Sequence, residues 1–341
     1  MKFQVGYQDN RPLVEFLLKH SGRVSEVYFP WGDFTTGRGI EASEKVRQDL
    51  ATDLKRFSDA GIRLCLLLNG NCYGSHTLAR SFFQKLGDTV DFLREEYSIG
   101  GVTTASPLIA RFLRKNFPGL EIRASVNMEI GTPEGMEYIE DYFDSFYLKR
   151  EYNYDRATIL RMRDFCRVRG KKMYLLANSG CLNFCSARTF HDNLVAHQHE
   201  VAEMDNAFEF HGECTVFLKK GDHRKDLLGK TNFIRPEDVP LYEDWCDGMK
   251  LATRTNFNPL AVVTAYFSGQ WNGNLLDLTE PAHSGILLPE ILSSRRFPAD
   301  YAEKRLTCSR DCPTCGYCRK VQEQATVLLN TNHLTSKEET C

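Results

Sequence analysis

Near the C-terminus four cysteines fall within eleven residues, in the run CSRDCPTCGYC that holds Cys308, Cys312, Cys315 and Cys318. Thiolates nested this tightly hold an iron–sulfur cluster, hold zinc, or pair as disulfides. Zinc sites usually set two CxxC turns facing each other across a longer loop. A chain that wraps a cube nests its cysteines closely instead, as this run does. The first three also share the CxxxCxxC spacing of radical S-adenosylmethionine enzymes. That motif belongs after a first barrel strand, whereas this run comes after the last one, with Cys318 on hand as a fourth ligand. The expectation is a closed [4Fe–4S] cluster, with zinc at Cys308–Cys318 as the alternative.

Four more cysteines follow apolar, β-rich runs: Cys72 in LLLNGNCYG, Cys181 and Cys185 in LLANSGCLNFC, and Cys214 in FEFHGEC. If those runs are barrel strands, the four stand at the C-terminal face, where such folds carry their sites. Four thiolates there suffice for a second [4Fe–4S] cluster. Cys65, inside a strand, and Cys166, inside a helix, read as packing, and Cys246 falls at the opposite end of the barrel. Around the same face Arg150 with Glu151, Arg188, His211, and Lys250 with Arg254 are the candidate catalytic residues, and the cations among them suit a carboxylate substrate. No GxSxG or HExxH occurs, and His211 and Cys214, three apart in an extended run, point to opposite faces. Peptidase chemistry is therefore the lesser alternative.

The elements that must position these groups repeat from residue 3 to about 255. Eight short apolar runs (3–7, 26–31, 62–69, 100–105, 121–127, 145–150, 171–178 and 248–253) alternate with amphipathic helical stretches that close on glycines such as Gly61, Gly119 and Gly170. Eight strands alternating with helices predict an α/β fold, a (β/α)8 TIM-like barrel, over 1–260. A doubly wound sheet is the other option, but no GxGxxG or GxxxxGK[ST] follows the first strand. The seventh and eighth runs stand far apart, which predicts a long insertion over 179–247 on the functional face. Residues 261–341 form a C-terminal helical and cysteine-rich extension.

The chain has 341 residues and 12 cysteines, with 43 basic against 45 acidic residues, a balance that argues against general polyanion binding. No segment reaches the roughly 20 apolar residues of a membrane span, and the N-terminus lacks a signal-peptide core. A cytoplasmic setting is expected, in which cysteines serve as ligands or packing rather than disulfides.

Four stretches, in order, resemble the U32 family, historically called peptidases. They are EVYFPWGDFTTGRG, RASVNMEIGTPEGMEYIEDYFDSFYLKRE with its LxRE ending at Leu148, Arg150 and Glu151, FEFHGEC with His211, Gly212 and Cys214, and FIRPEDVPLYEDWCDGMKLATR with Lys250 and Arg254. The resemblance covers roughly residues 20 to 260. It implies an iron–sulfur barrel that supports oxygen-independent hydroxylation of a small molecule or an RNA base, fed by an electron donor. It also implies work in pairs, with a second U32-type subunit or a second copy, so a non-catalytic electron-transfer or scaffold subunit is the alternative. The family's cysteines mostly follow the HGxxC element, whereas here the CLNFC pair precedes it, and the terminal run is additional. On this reading one cluster takes Cys72, Cys181, Cys185 and Cys214, and another takes Cys308, Cys312, Cys315 and Cys318.

Overall fold

The computed structural model describes residues 1–38 and 44–329. Eight parallel strands close into one barrel: β1 (Phe3–Gly6), β2 (Val24–Phe29), β3 (Leu64–Leu68), β4 (Gly101–Thr104), β5 (Glu121–Ala124), β6 (Ser145–Tyr147), β7 (Lys172–Leu176) and β8 (Gly248–Leu251). β8 pairs back onto β1 through Met249–Phe3, Lys250–Gln4 and Leu251–Val5, so no strand edge is left open. Each strand lies within or beside one of the eight apolar runs.

Successive side chains alternate across the pleat. One set, including Phe3, Val5, Val27, Phe29, Leu64 and Leu66, packs outward in the large core shared with the surrounding helices. The other set points to the axis and is unusually polar. Arg123 donates to Glu26 at 2.6 and 3.1 Å and to Glu121 at 2.8 Å, while Ser145 donates to Glu121 at 2.6 Å. Burial would push Glu121 up, but Arg123 and Arg63 outweigh it and draw the carboxyl down to about 2. A buried ion network is tolerable only when every charge is partnered, and here the barrel's closure supplies the partners.

The helices begin where the sequence provides caps. The side chains of Asn10, Ser106, Thr132, Asp155 and Asn258 each accept a backbone N–H from the first turn that follows. The helix that covers β8 runs Pro259–Ser268, so the barrel continues past residue 260 into what reads from sequence as the extension. Beyond it the chain returns to the mouth of the barrel. Gly180 donates to the Glu280 carbonyl at 3.1 Å, and His283 Nε2 bonds the Gly180 carbonyl at 2.9 Å. The extension also contains a small antiparallel pair, β9 (Glu290–Leu292) and β10 (Thr326–Leu328), which the sequence reading missed. The four terminal cysteines lie between these two strands in the chain. Among the described residues no helix is long and apolar enough to cross a membrane.

Candidate metal centres and the barrel mouth

The turn after β7 carries the first group. Gly180 is required there, because a Cβ at that position would lie 2.1 Å from the Pro281 carbonyl oxygen. Cys181 follows at once, and Arg150 Nη1 donates to its Sγ at 3.4 Å. Burial alone would push the Cys181 thiol up. The guanidinium groups of Arg150, Arg188 and Arg38 outweigh that and hold it below its ordinary value, which favours the thiolate. Cys214 opens the helix Glu213–Leu218, where an extended run was expected. Its thiol is pushed up first by burial and then by Cys181, with Cys185 adding to the rise, so the three are within electrostatic reach of one another.

Glu151 holds this turn in place. The buried carboxylate accepts from Arg188 Nη2 at 3.2 Å and from the Phe184 N–H at 3.4 Å, and Arg188 Nε reaches Glu129 at 3.0 Å. Glu151 thus positions the cysteine turn and does not face the open mouth as the sequence reading had it. Arg38, Arg150, Lys250, Arg254 and Glu280 line a small cavity of about 50 Å³ at the axis. Arg38 Nε pairs with Glu280 at 2.7 Å, and Arg254 Nη1 donates to Thr36 at 3.0 Å. Lys250 closes this cavity from below, its Nζ 4.0 Å from the centre of the Tyr28 ring, and burial pushes its ammonium down to about 7.

Two expected members lie elsewhere. Cys72 does not join the three barrel cysteines. It lines, with His197, a separate cavity that no other cysteine lines. It stands in the loop that joins β3 to the turn Gly74–Leu78. His211 sits on an exposed loop beside Glu209, at 3.4 Å, with 69% of its side chain exposed, so among the described residues it lines no enclosed site.

The terminal cysteines do converge. Cys308 accepts the Arg310 N–H at 3.3 Å, Cys312 to Cys315 form one helical turn, and Gly316 at φ +59° reverses the chain into the helix Tyr317–Ala325 that carries Cys318. All four line one cavity of about 690 Å³. Burial pushes the Cys318 thiol up, Arg305 opposes this, and the sulfurs of Cys308, Cys312 and Cys315 each add to the rise. Among the described residues no three of His, Cys, Asp and Glu are gathered as a single metal ion would need.

The two cysteine groups touch through Arg310. Its guanidinium carbon lies 5.0 Å from the Tyr152 ring centre and 5.4 Å from that of Phe184, between Cys181 and Cys185, and it donates to the Glu151 carbonyl at 3.2 Å. Arg310, Arg38 and Glu280 escaped the sequence reading as site residues. Only Arg38 left a trace, as the late arginine of the second-strand stretch.

No family model matches the chain. It is 23% identical over 308 residues to the uncharacterized protease MJ1657 of Methanocaldococcus jannaschii, covering 88% of each protein. Among solved structures it is similar to the U32 peptidase Mk0906, with a TM-score of 0.54 and 15% identity over 73% of this chain and 91% of that one. The chain shares the barrel fold of that U32 peptidase.

Proposed function

We propose that this U32-type barrel is an iron–sulfur redox enzyme with two [4Fe–4S] sites, acting on a small carboxylate-bearing molecule or an RNA base by oxygen-independent hydroxylation or a related step. The observation that carries the reading is the environment of Cys181: a half-buried thiol beside Arg150, Arg188 and Arg38 and within electrostatic reach of Cys214, itself near Cys185. Thiolates are the usual ligands of such clusters, and cationic neighbours favour the thiolate form. The donor set therefore fits. Cys181, Cys185 and Cys214 would hold the barrel cluster, and Cys308, Cys312, Cys315 and Cys318 the terminal one.

When bound, the clusters supply one-electron transfer, and an iron without a protein thiolate supplies a Lewis acid. The chain's own residues do the rest. Arg150, Arg254 and the Arg38–Glu280 pair present charge at the axial cavity, where guanidinium groups can grip a carboxylate in a bidentate manner. Lys250 beneath them, with its ammonium brought close to neutrality, can accept or give a proton at Nζ. Glu151 keeps Arg188 and the cysteine turn aligned. Arg310 keeps the terminal loop against that turn, the arrangement an electron relay needs.

The test pairs two double variants, C181A/C214A and C312A/C315A, with iron and sulfide measured after anaerobic purification. Each should lose about half of the iron of the parent chain if each group of cysteines holds one of two clusters. Iron unchanged in both variants would overturn the reading. Turnover by the isolated chain, against turnover only with a second subunit, separates an enzyme from an electron-transfer partner.

A further inference from the structure

Cys72 stands in the loop after β3, beside a cavity of about 330 Å³ walled by Phe34, Tyr73 and Phe82, with the Lys85–Asp33 pair and His76 at its rim. Across the cavity stands His197, between the helices Arg188–Ala196 and Gln198–Ala202 of the insertion. Thr35 Oγ1 donates to the Ala196 carbonyl at 2.6 Å and pins the insertion there. The imidazole and the Cys72 sulfur line this same cavity, close enough that each biases the ionisation of the other. His197 Nδ1 lies 3.0 Å from Glu200 Oε2, which leaves Nε2 for the sulfur. The Gly74 N–H adds a second donor to Cys72 Sγ at 3.4 Å. A thiol, an imidazole and an orienting carboxylate in series are the parts of an activated nucleophile.

We propose that Cys72, His197 and Glu200 form a nucleophilic thiol site on the rim of the barrel, independent of the clusters, which takes the acyl group of a small ester or amide held in this cavity. In the first step Cys72 Sγ bonds to the carbonyl carbon, the bond from that carbon to the leaving group breaks, and the imidazolium of His197 gives its proton to the departing atom. Water then attacks the thioester carbon and surrenders a proton to His197. The carbon–sulfur bond breaks, releasing the acid and restoring the thiolate. No electron is gained or lost.

The contrast with other thiols supports the assignment. Burial pushes Cys65, Cys166 and Cys246 up to about 12, which keeps them inert. Cys72 is held below its ordinary range, first by His197 and then by the Gly74 N–H. His197 in turn is raised, first by Cys72, with Glu200 adding to the effect. Glu200 is largely exposed, so it acts as a positioning residue.

The test exposes the reduced, anaerobically purified full chain to p-nitrophenyl acetate at pH 7 and locates the acetyl group by mass spectrometry. The tryptic peptide 64–80 contains both Cys65 and Cys72, so the inert thiol is an internal control. The acetyl group should appear on Cys72 with a burst of one nitrophenolate per chain. It should be absent in C72S and form roughly 100-fold more slowly in H197Q, the range expected for loss of general acid–base help. E200Q should slow it a few-fold. Independently, the pH profile of iodoacetamide alkylation at Cys72 should have its midpoint below that of an ordinary thiol and move upward in H197Q. Acetylation confined to the terminal cysteines, or alkylation with an ordinary midpoint that H197Q leaves in place, would overturn the proposal.

Discussion

Lys250 offers a quantitative check on the barrel interior. Its side chain is buried between Tyr28 and Tyr147, with Nζ at 4.0 and 5.1 Å from the two ring centres. Burial lowers its ammonium from 10.5 to about 7. At about 1.36 kcal/mol per unit, charging Lys250 in the folded state costs about 5 kcal/mol more than in the unfolded chain. The sign follows from proton counting. Between pH 7 and 10 the unfolded chain binds the proton and the folded chain largely does not, so stability rises with pH across that window. Below pH 7 both states are protonated and the full penalty stands. Replacing Lys250 with Met keeps the length and removes the charge, so the variant should be the more stable protein near neutrality. Its advantage should shrink by about 2 kcal/mol between pH 7 and pH 9, as the parent recovers the charging penalty. Urea unfolding of both proteins at the two pH values, under anaerobic reducing conditions, measures the difference. A gap that stays constant across the two, or a variant less stable at pH 7, would refute the placement of this lysine.

Three further substitutions probe the supports of the site. Gly180→Ala drives a Cβ into the Pro281 carbonyl; it should destabilise the chain by about 3 kcal/mol, as overpacking does, and deplete iron from the barrel group, read by urea midpoint and metal analysis. Arg305 donates to the carbonyls of Leu228 and Thr231, to Asn232 Oδ1 and to the Tyr301 hydroxyl. Arg305→Met strips buried acceptors of their partner and should cost about 3 kcal/mol or more, with the terminal cluster lost first on mild heating. Arg150→Met removes the guanidinium that donates to Cys181 and weighs most against its burial; the thiol should rise, and alkylation of Cys181 in iron-free protein at pH 7 should slow by up to about tenfold for each unit of rise.

The strands were legible because their signal is local. The run IRLCLLLN contains β3 at Leu64–Leu68, and KKMYLLAN contains β7 at Lys172–Leu176, since a parallel strand buried on both faces leaves a nearly unbroken apolar stretch. The convergence of Cys308, Cys312, Cys315 and Cys318 was legible for the same reason, since all four lie within eleven residues, around one helical turn and one reversal. What escaped depends on closure of the ring. Arg38 and Glu280 are 242 residues apart in sequence, and only the return of the extension to the mouth brings them together. Cys72 and His197 likewise meet because the insertion folds back over β2 and β3, and no spacing in the chain records that contact. β9 and β10, with three residues each, are too short to carry a periodic signal.

Iron, acid-labile sulfide and zinc per chain after strictly anaerobic purification, with electron paramagnetic resonance of the dithionite-reduced sample, test the central claim most directly. The account predicts about eight irons and eight sulfides, and signals from two reduced cubes. Stoichiometric zinc with no iron and no sulfide would contradict it.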